Sequence, residues 1–240
     1  MRLNRVVAAF LLALAASASL PALAADDGFA AAIASPIRTD ADRKDDAKRK
    51  PAQFLEFAKV KPGMKVLDVV AGGGATAQLL ALAVGPKGEV YAQNSKPNAN
   101  LDKRLAAQPQ ANLKPVVRGF DNPAPAGVTG FDLITINMNY HDIVNAPVDR
   151  AAMNKALFEA LKPGGYLVII DNAAKEGQGL SVTNTLHRIE DASVIAEVSK
   201  AGFVLDGRGD YLRVPSDPKD QPFFKMDGPD DKFALRFVKK

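Results

Sequence analysis

The chain of 240 residues contains no cysteine and only two histidines. Without cysteine there is no thiolate nucleophile, no thiolate metal ligand, no disulfide and no lipid-bearing N-terminal cysteine. His141 and His187 stand far apart in the sequence, so no metal site is expected. An excess of one charge is also lacking: 31 Lys and Arg face 27 Asp and Glu, a net +4. The two signs alternate along the chain, which argues against a nucleic-acid partner, because that surface needs clustered basic residues. Internal repeats and low-complexity tracts are absent.

What is present is an ordinary globular composition, 47% hydrophobic and 24% charged, enough for one sizeable core. The first 24 residues have the layout of a signal peptide. Arg2 and Arg5 give a positive start, Val6 to Ala16 is apolar and uncharged, and Ala22-Leu23-Ala24 offers a small-residue cleavage site before Ala25. The apolar run falls short of the roughly 20 residues a membrane span needs. A periplasmic or secreted protein with no membrane anchor after cleavage is therefore expected.

Residues 25–60 read as a mobile lead-in followed by a helix over Thr39 to Ala58, divided at Pro51. Its charge run, Asp40 to Lys50, reads as a solvated face. From residue 61 on, short apolar strands alternate with helices. The strands fall at Met64–Val70, Gly88–Gln93, Lys114–Arg118, Phe131–Met138, Tyr166–Asp171, Gly202–Leu205 and Lys232–Val238. Strand and helix alternating every 25 to 30 residues or so implies parallel crossovers. The last two strands lack a helix between them and are expected to pair antiparallel, joined by a surface loop. One α/β domain over 61–240 follows.

Chemistry concentrates at Val66-Leu67-Asp68-Val69-Val70-Ala71-Gly72-Gly73-Gly74, a strand running into a glycine turn and then a helix. Glycine there lets the chain turn tightly and leaves no Cβ between backbone and ligand. Ligands of such sheets sit beyond the carboxyl ends of the strands. The dinucleotide pattern G-x-G-x-x-G is incomplete, since Ala75-Thr76-Ala77 follows Gly74.

This stretch resembles the first motif of the class I S-adenosylmethionine-dependent methyltransferases, V-L-D-x-G-x-G-x-G. Val66, Leu67, Asp68, Gly72 and Gly74 match, and Val70 stands where the first glycine is usual. Phe131-Asp132-Leu133-Ile134 and Leu161-Lys162-Pro163-Gly164-Gly165 match two further family segments in the right order. Leu186-His187-Arg188-Ile189 and Tyr140-His141-Asp142 are similar to a branch of predicted exported bacterial methyltransferases. The resemblance implies a doubly wound, Rossmann-like, seven-stranded and mostly parallel sheet with an antiparallel last strand. It also implies S-adenosylmethionine as cofactor and a small-molecule methyl acceptor.

Carried over residue by residue, the resemblance implies that Asp68 helps hold the donor's amino acid end. Ala71, Gly72 and Gly74 would pass beneath its ribose and sulfonium. Asn94 stands where an acid usually grips the ribose, Phe120 and Asp121 lie near the adenine position, and Asn137 ends the fourth strand. Asp121 reads equally as a turn residue in Asp-Asn-Pro. His141 is the candidate general base, with Tyr140 beside it, because imidazole titrates near neutrality; a packed or helix-capping histidine is the alternative. His187 fits the start of a helix equally well. Two other functions stay open, a non-catalytic periplasmic binding protein on this fold and a nicotinamide-dependent oxidoreductase.

Overall fold

The structure is a computed structural model, and it describes residues 28–240. The expected signal peptide lies outside the described residues. Helices α1 (Ala30–Ile33), α2 (Asp40–Arg49) and α3 (Pro51–Phe57) come first. Then follow β1 (Lys65–Val69), α4 (Ala75–Val84), β2 (Glu89–Asn94), α5 (Ala99–Ala107), β3 (Leu113–Val117) and β4 (Phe131–Asn137). The second half holds α6 (Tyr140–Asn145), α7 (Arg150–Ala160), β5 (Leu161–Asn172), α8 (Thr183–Leu186), α9 (Asp191–Lys200), β6 (Val204–Gly209) and β7 (Lys232–Val238).

The seven strands form one sheet in the order β3-β2-β1-β4-β5-β7-β6. β1 to β5 run parallel, and β7 pairs antiparallel with both β5 and β6. β1 and β4 sit at the centre, covered on both faces, which is why they are nearly continuous in apolar residues. Side chains alternate across the sheet. Val66 and Leu133 enter the core beneath α3, α4 and α5, whereas Leu67, Val69, Ile134 and Ile136 enter the core beneath α6, α7 and α9.

The N-terminal segment is not the loose lead-in expected. Ala32 is buried, and Phe29 and Ile33 pack on the same core as α3 and α4. The charge run is not wholly solvated either. Thr39 caps α2 reciprocally with Asp42, and the Asp42 carboxylate then turns inward to Arg104 of α5, at 2.7 and 2.9 Å. Late in the chain, residues 210–231 fold back over the carboxyl ends of the strands. Arg188, wholly buried, pins them by donating to Asp217 at 2.8 Å and to the Gln221 carbonyl at 3.0 Å. Asp231 adds ties to Arg213 and to Lys219, each at 2.8 Å.

Two central strands end in the left-handed region, Val70 at φ 57° after β1 and Met138 at φ 55° after β4. A β-branched residue adopts this conformation only under strain, on the order of 1–3 kcal/mol. That explains why the family pattern carries glycine where this chain has Val70.

Three substitutions test these contacts through stability. Val70→Gly is expected to change unfolding free energy by less than about 1 kcal/mol, because strain relief offsets lost packing and the entropy of glycine. Val69→Gly, at a fully buried position with ordinary φ, should cost roughly 3 kcal/mol or more. Arg188→Leu leaves Asp217 buried without its cation and should cost about 3–5 kcal/mol. Urea denaturation of the three variants beside the parent chain measures all of these differences.

Candidate active site

The carboxyl ends of β1 and β4, the glycine turn, α2 and residues 210–231 enclose a cavity of about 720 Å³. Asp68 lies in its wall and is placed there by register. Asp68 pairs with Thr135 across β1 and β4, and both point to the α4 side because they share parity with Val66 and Leu133. Thr135 Oγ1 donates to Asp68 Oδ1 at 2.6 Å, and Asn137 Nδ2 donates to the same oxygen at 3.5 Å. The second oxygen, Oδ2, is buried and has no partner. Burial pushes the Asp68 pKa up to about 6, against the lowering effect of Thr135 and Asn137. A buried carboxylate oxygen lacking a donor is costly unless something supplies one, and an ammonium group brought into the cavity would do so.

The glycine turn forms the next wall. Gly72, at φ 55°, has open space where a Cβ would stand. Gly74 is held differently: at φ 82° it caps α4, and a Cβ there would come within 2.6 Å of Leu101 Cδ1. Its absence of a side chain serves packing of α5, and the residue stands behind the cavity wall. Arg104 locks the turn from behind, donating to the Gly73 carbonyl at 2.7 Å and to Gln78 at 2.6 Å while pairing with Asp42. Neither Arg104 nor Asp42 was visible as a site residue in the sequence.

Of the residues expected at the site, Asp68, Ala71, Gly72 and Asn137 line this cavity. Others are placed elsewhere. Asn94 does not project into the cavity: its Oδ1 accepts from the Gly72 amide at 2.9 Å and its Nδ2 donates to the Gly72 carbonyl at 3.1 Å. A carboxylate there would have no hydrogen to donate, so the amide suits a two-way brace on the turn. Phe120 packs against the core on the α6 face. Asp121 is exposed and accepts from the Asp149 amide at 3.1 Å, as a turn residue does.

Tyr140 also departs from its expected place. It is fully buried, its hydroxyl donating to Glu197 and accepting from Asn154, each at 2.9 Å. Burial raises its pKa well above the usual phenol range, and the network ties α6 to α7 and α9. His141 is buried as well, enclosed between Asp171, 2.7 Å from Nδ1, and Asp142, 3.3 Å from Nε2. Burial by itself lowers the imidazole pKa, but the hydrogen bonds and charges of Asp142 and Asp171 outweigh it and push it up to about 9. Both ring nitrogens are thus engaged by carboxylates and the ring turns no free face to the cavity, which is the packed arrangement rather than an open base. Asp142, beside it, does reach the cavity wall. The two histidines, far apart in sequence, meet with ring centroids 5.5 Å apart. The expectation of no metal site rested on their separation in sequence, and the fold removes that separation.

No helix among the described residues is long and apolar enough to cross a membrane. Residues 46–191, more than half of the chain, match the ubiE/COQ5 methyltransferase family. The chain is 30% identical over 161 residues to an uncharacterized methyltransferase, sll0829, of Synechocystis sp., covering 63% of this chain and 72% of that protein. It is 25% identical over 162 residues to the ubiquinone/menaquinone biosynthesis C-methyltransferase UbiE of Ectopseudomonas mendocina, covering 66% of this chain but only 59% of that relative. A methyltransferase of Aquifex aeolicus superposes with a TM-score of 0.61 at 20% identity, over 82% of this chain and 96% of that one. The sheet order, the glycine turn with its unpartnered acid, and the family match together place the chain in the ubiE/COQ5 family of S-adenosylmethionine-dependent methyltransferases.

Proposed function

We propose that this methyltransferase is exported and methylates a small molecule with an apolar body. The observation that carries the site assignment is the buried, unpartnered Oδ2 of Asp68 in the wall of the main cavity. Bound S-adenosylmethionine supplies a methyl group already activated on sulfur, so alignment provides much of the rate. Asp68 offers its free oxygen to the ammonium of the donor's amino acid end. Gly72 presents bare backbone, and Arg104 keeps that backbone in place. Across the cavity, Phe223, Phe224 and Met226 give the covering segment an apolar inner side, which suits an acceptor with rings or hydrocarbon. α2 and this segment shield the site from water, where charged contacts strengthen.

Export rests on the N-terminal pattern of Arg2, Arg5, Val6 to Ala16 and Ala22-Leu23-Ala24. A mature chain beginning at Ala25 in the periplasmic or extracellular fraction is the expected result of N-terminal sequencing. An unprocessed chain confined to the cytoplasm would overturn it.

Calorimetric titration with S-adenosylmethionine and S-adenosylhomocysteine tests the site. Binding by the parent chain and a loss of about 10- to 100-fold in Asp68→Asn are expected, the worth of a charge-assisted hydrogen bond. Asp68 must be ionised to hold an ammonium, so affinity should fall as pH drops through about 6 and level off above it. The stability effect has the opposite sign. Because folding raises this pKa, the contribution of Asp68 is fully present below its ordinary value and is lost as pH rises through about 6. Asp68→Asn should flatten both profiles. Unchanged donor binding in that variant would sink the placement, and donor binding without turnover across a panel of acceptors would leave a binding protein.

A further inference from the structure

We propose that His141, Asp142 and His187 form a binding site for a divalent metal ion of the zinc class at the edge of the cavity. His141 and Asp142 come from α6, and His187 follows α8, which packs against α6. The three ligating atoms lie within 4.8 Å of one another. Asp142 Oδ1 is 3.3 Å from His141 Nε2 and 3.5 Å from His187 Nδ1. With metal–nitrogen and metal–oxygen bonds of about 2.1 Å, two ligands of a tetrahedral site stand about 3.4 Å apart. Both separations correspond to such an edge.

The surroundings prepare His141 as a ligand. Asp171 is fully buried and fixed by the backbone amides of His141 and Asn172, each at 2.8 Å. Its other contact is His141 Nδ1, at 2.7 Å. An ionised carboxylate only accepts, so Nδ1 carries the hydrogen and Nε2 is the atom turned toward Asp142. A carboxylate behind the imidazole, opposite the metal, is the usual way a histidine ligand is oriented and made more basic. His187 is steadied as well: its carbonyl accepts from Asn172 Nδ2 at 3.2 Å, and its ring meets Phe224 edge-on at 5.3 Å.

Charge points the same way. Two imidazole nitrogens converge on one carboxylate oxygen, with a second carboxylate behind. Among the described residues no Lys or Arg pairs with Asp142 or Asp171. Lone pairs meeting in this way need something between them, either a hydrogen on each facing ring nitrogen or one divalent ion. Two histidines and a carboxylate suit zinc and its neighbours. The side chains of Asp142 and His187 are 51% and 34% exposed, which leaves a path for the ion and room for a further ligand. That open position would hold an oxygen of the acceptor and ease its deprotonation. This use rests on the proposed methyl transfer, whereas metal binding itself does not.

Titration of the tag-free, EDTA-stripped full chain with zinc chloride, in the absence of S-adenosylmethionine, tests the site. One zinc ion per chain is expected, with binding weakened at least about tenfold in Asp142→Asn and in His187→Asn. His187 has φ 51°, a conformation asparagine accepts readily, so that variant should stay folded, as circular dichroism would verify. X-ray absorption of the zinc-loaded parent chain needs no variant and should show two imidazoles around the metal. Absence of stoichiometric zinc, a shell without imidazole, or unchanged affinity in a folded His187→Asn would each overturn the proposal and favour a proton-bridged cluster. Zinc binding in a chain that ignores S-adenosylmethionine would instead count against the donor site.

Discussion

The guanidinium of Arg104 is the constraint on which the cavity depends. Its planar fork meets both oxygens of Asp42, the side chain of Gln78 and the carbonyl of Gly73. One side chain thus joins the first turn of α2, the start of α4 and the glycine turn. Lysine could not do this, because a single ammonium lacks the fixed geometry of the fork. Burying a cation with an anion costs several kcal/mol per ion unless both are fully bonded. Here Asp42 also accepts from the Thr39 amide at 2.9 Å, so the carboxylate that caps α2 is the one that anchors it. Helix termination and cavity assembly share an atom.

The sheet was legible because central strands buried on both faces must be apolar, and the turns between them must carry glycine or proline. Asp68 was marked by its match to the family's first motif at the carboxyl end of the first strand, whereas its pairing with Thr135 needed the register of the sheet. Long side-chain partnerships were not legible. Asp42 and Arg104 stand 62 positions apart, and nothing in a run of mixed charges marks which acid turns inward. The meeting of His141 with His187 depends on α6 packing against α8, and both helices are short. Phe120 and Asp121 were placed by counting from a family pattern, but the chain after β3 turns away from the cavity at that point. Asn94 was read as a weakened acid, whereas its amide hydrogens are what the Gly72 carbonyl requires.

The floor and the cover of the cavity are held by different contacts. The floor is strand and glycine turn, braced by Asn94 and Arg104. The cover is held by ion pairs such as Arg188 with Asp217 and Arg213 with Asp231, and by Lys50 reaching the Tyr211 carbonyl at 2.6 Å. Lys50 itself sits at φ 47° between α2 and α3, so the two helices meet at an angle and α2 can lie across the strand ends. Polar anchors at the edge with apolar side chains inward give a chamber whose shape is set before a ligand arrives, which lowers the ordering cost of binding.

The family match runs over residues 46–191, and the chamber does not respect that boundary. Arg38 and Asp42 precede it, and Leu212, Phe223, Phe224, Met226 and Lys232 follow it, yet all of them face the same space. The stretch that shows the family therefore builds only part of the chamber wall, and the segments on either side of it build the rest. Relatives that agree throughout the matched core are free to differ in the flanking residues that complete the chamber wall, and a census of such proteins by their cores would group together chambers of unlike shape.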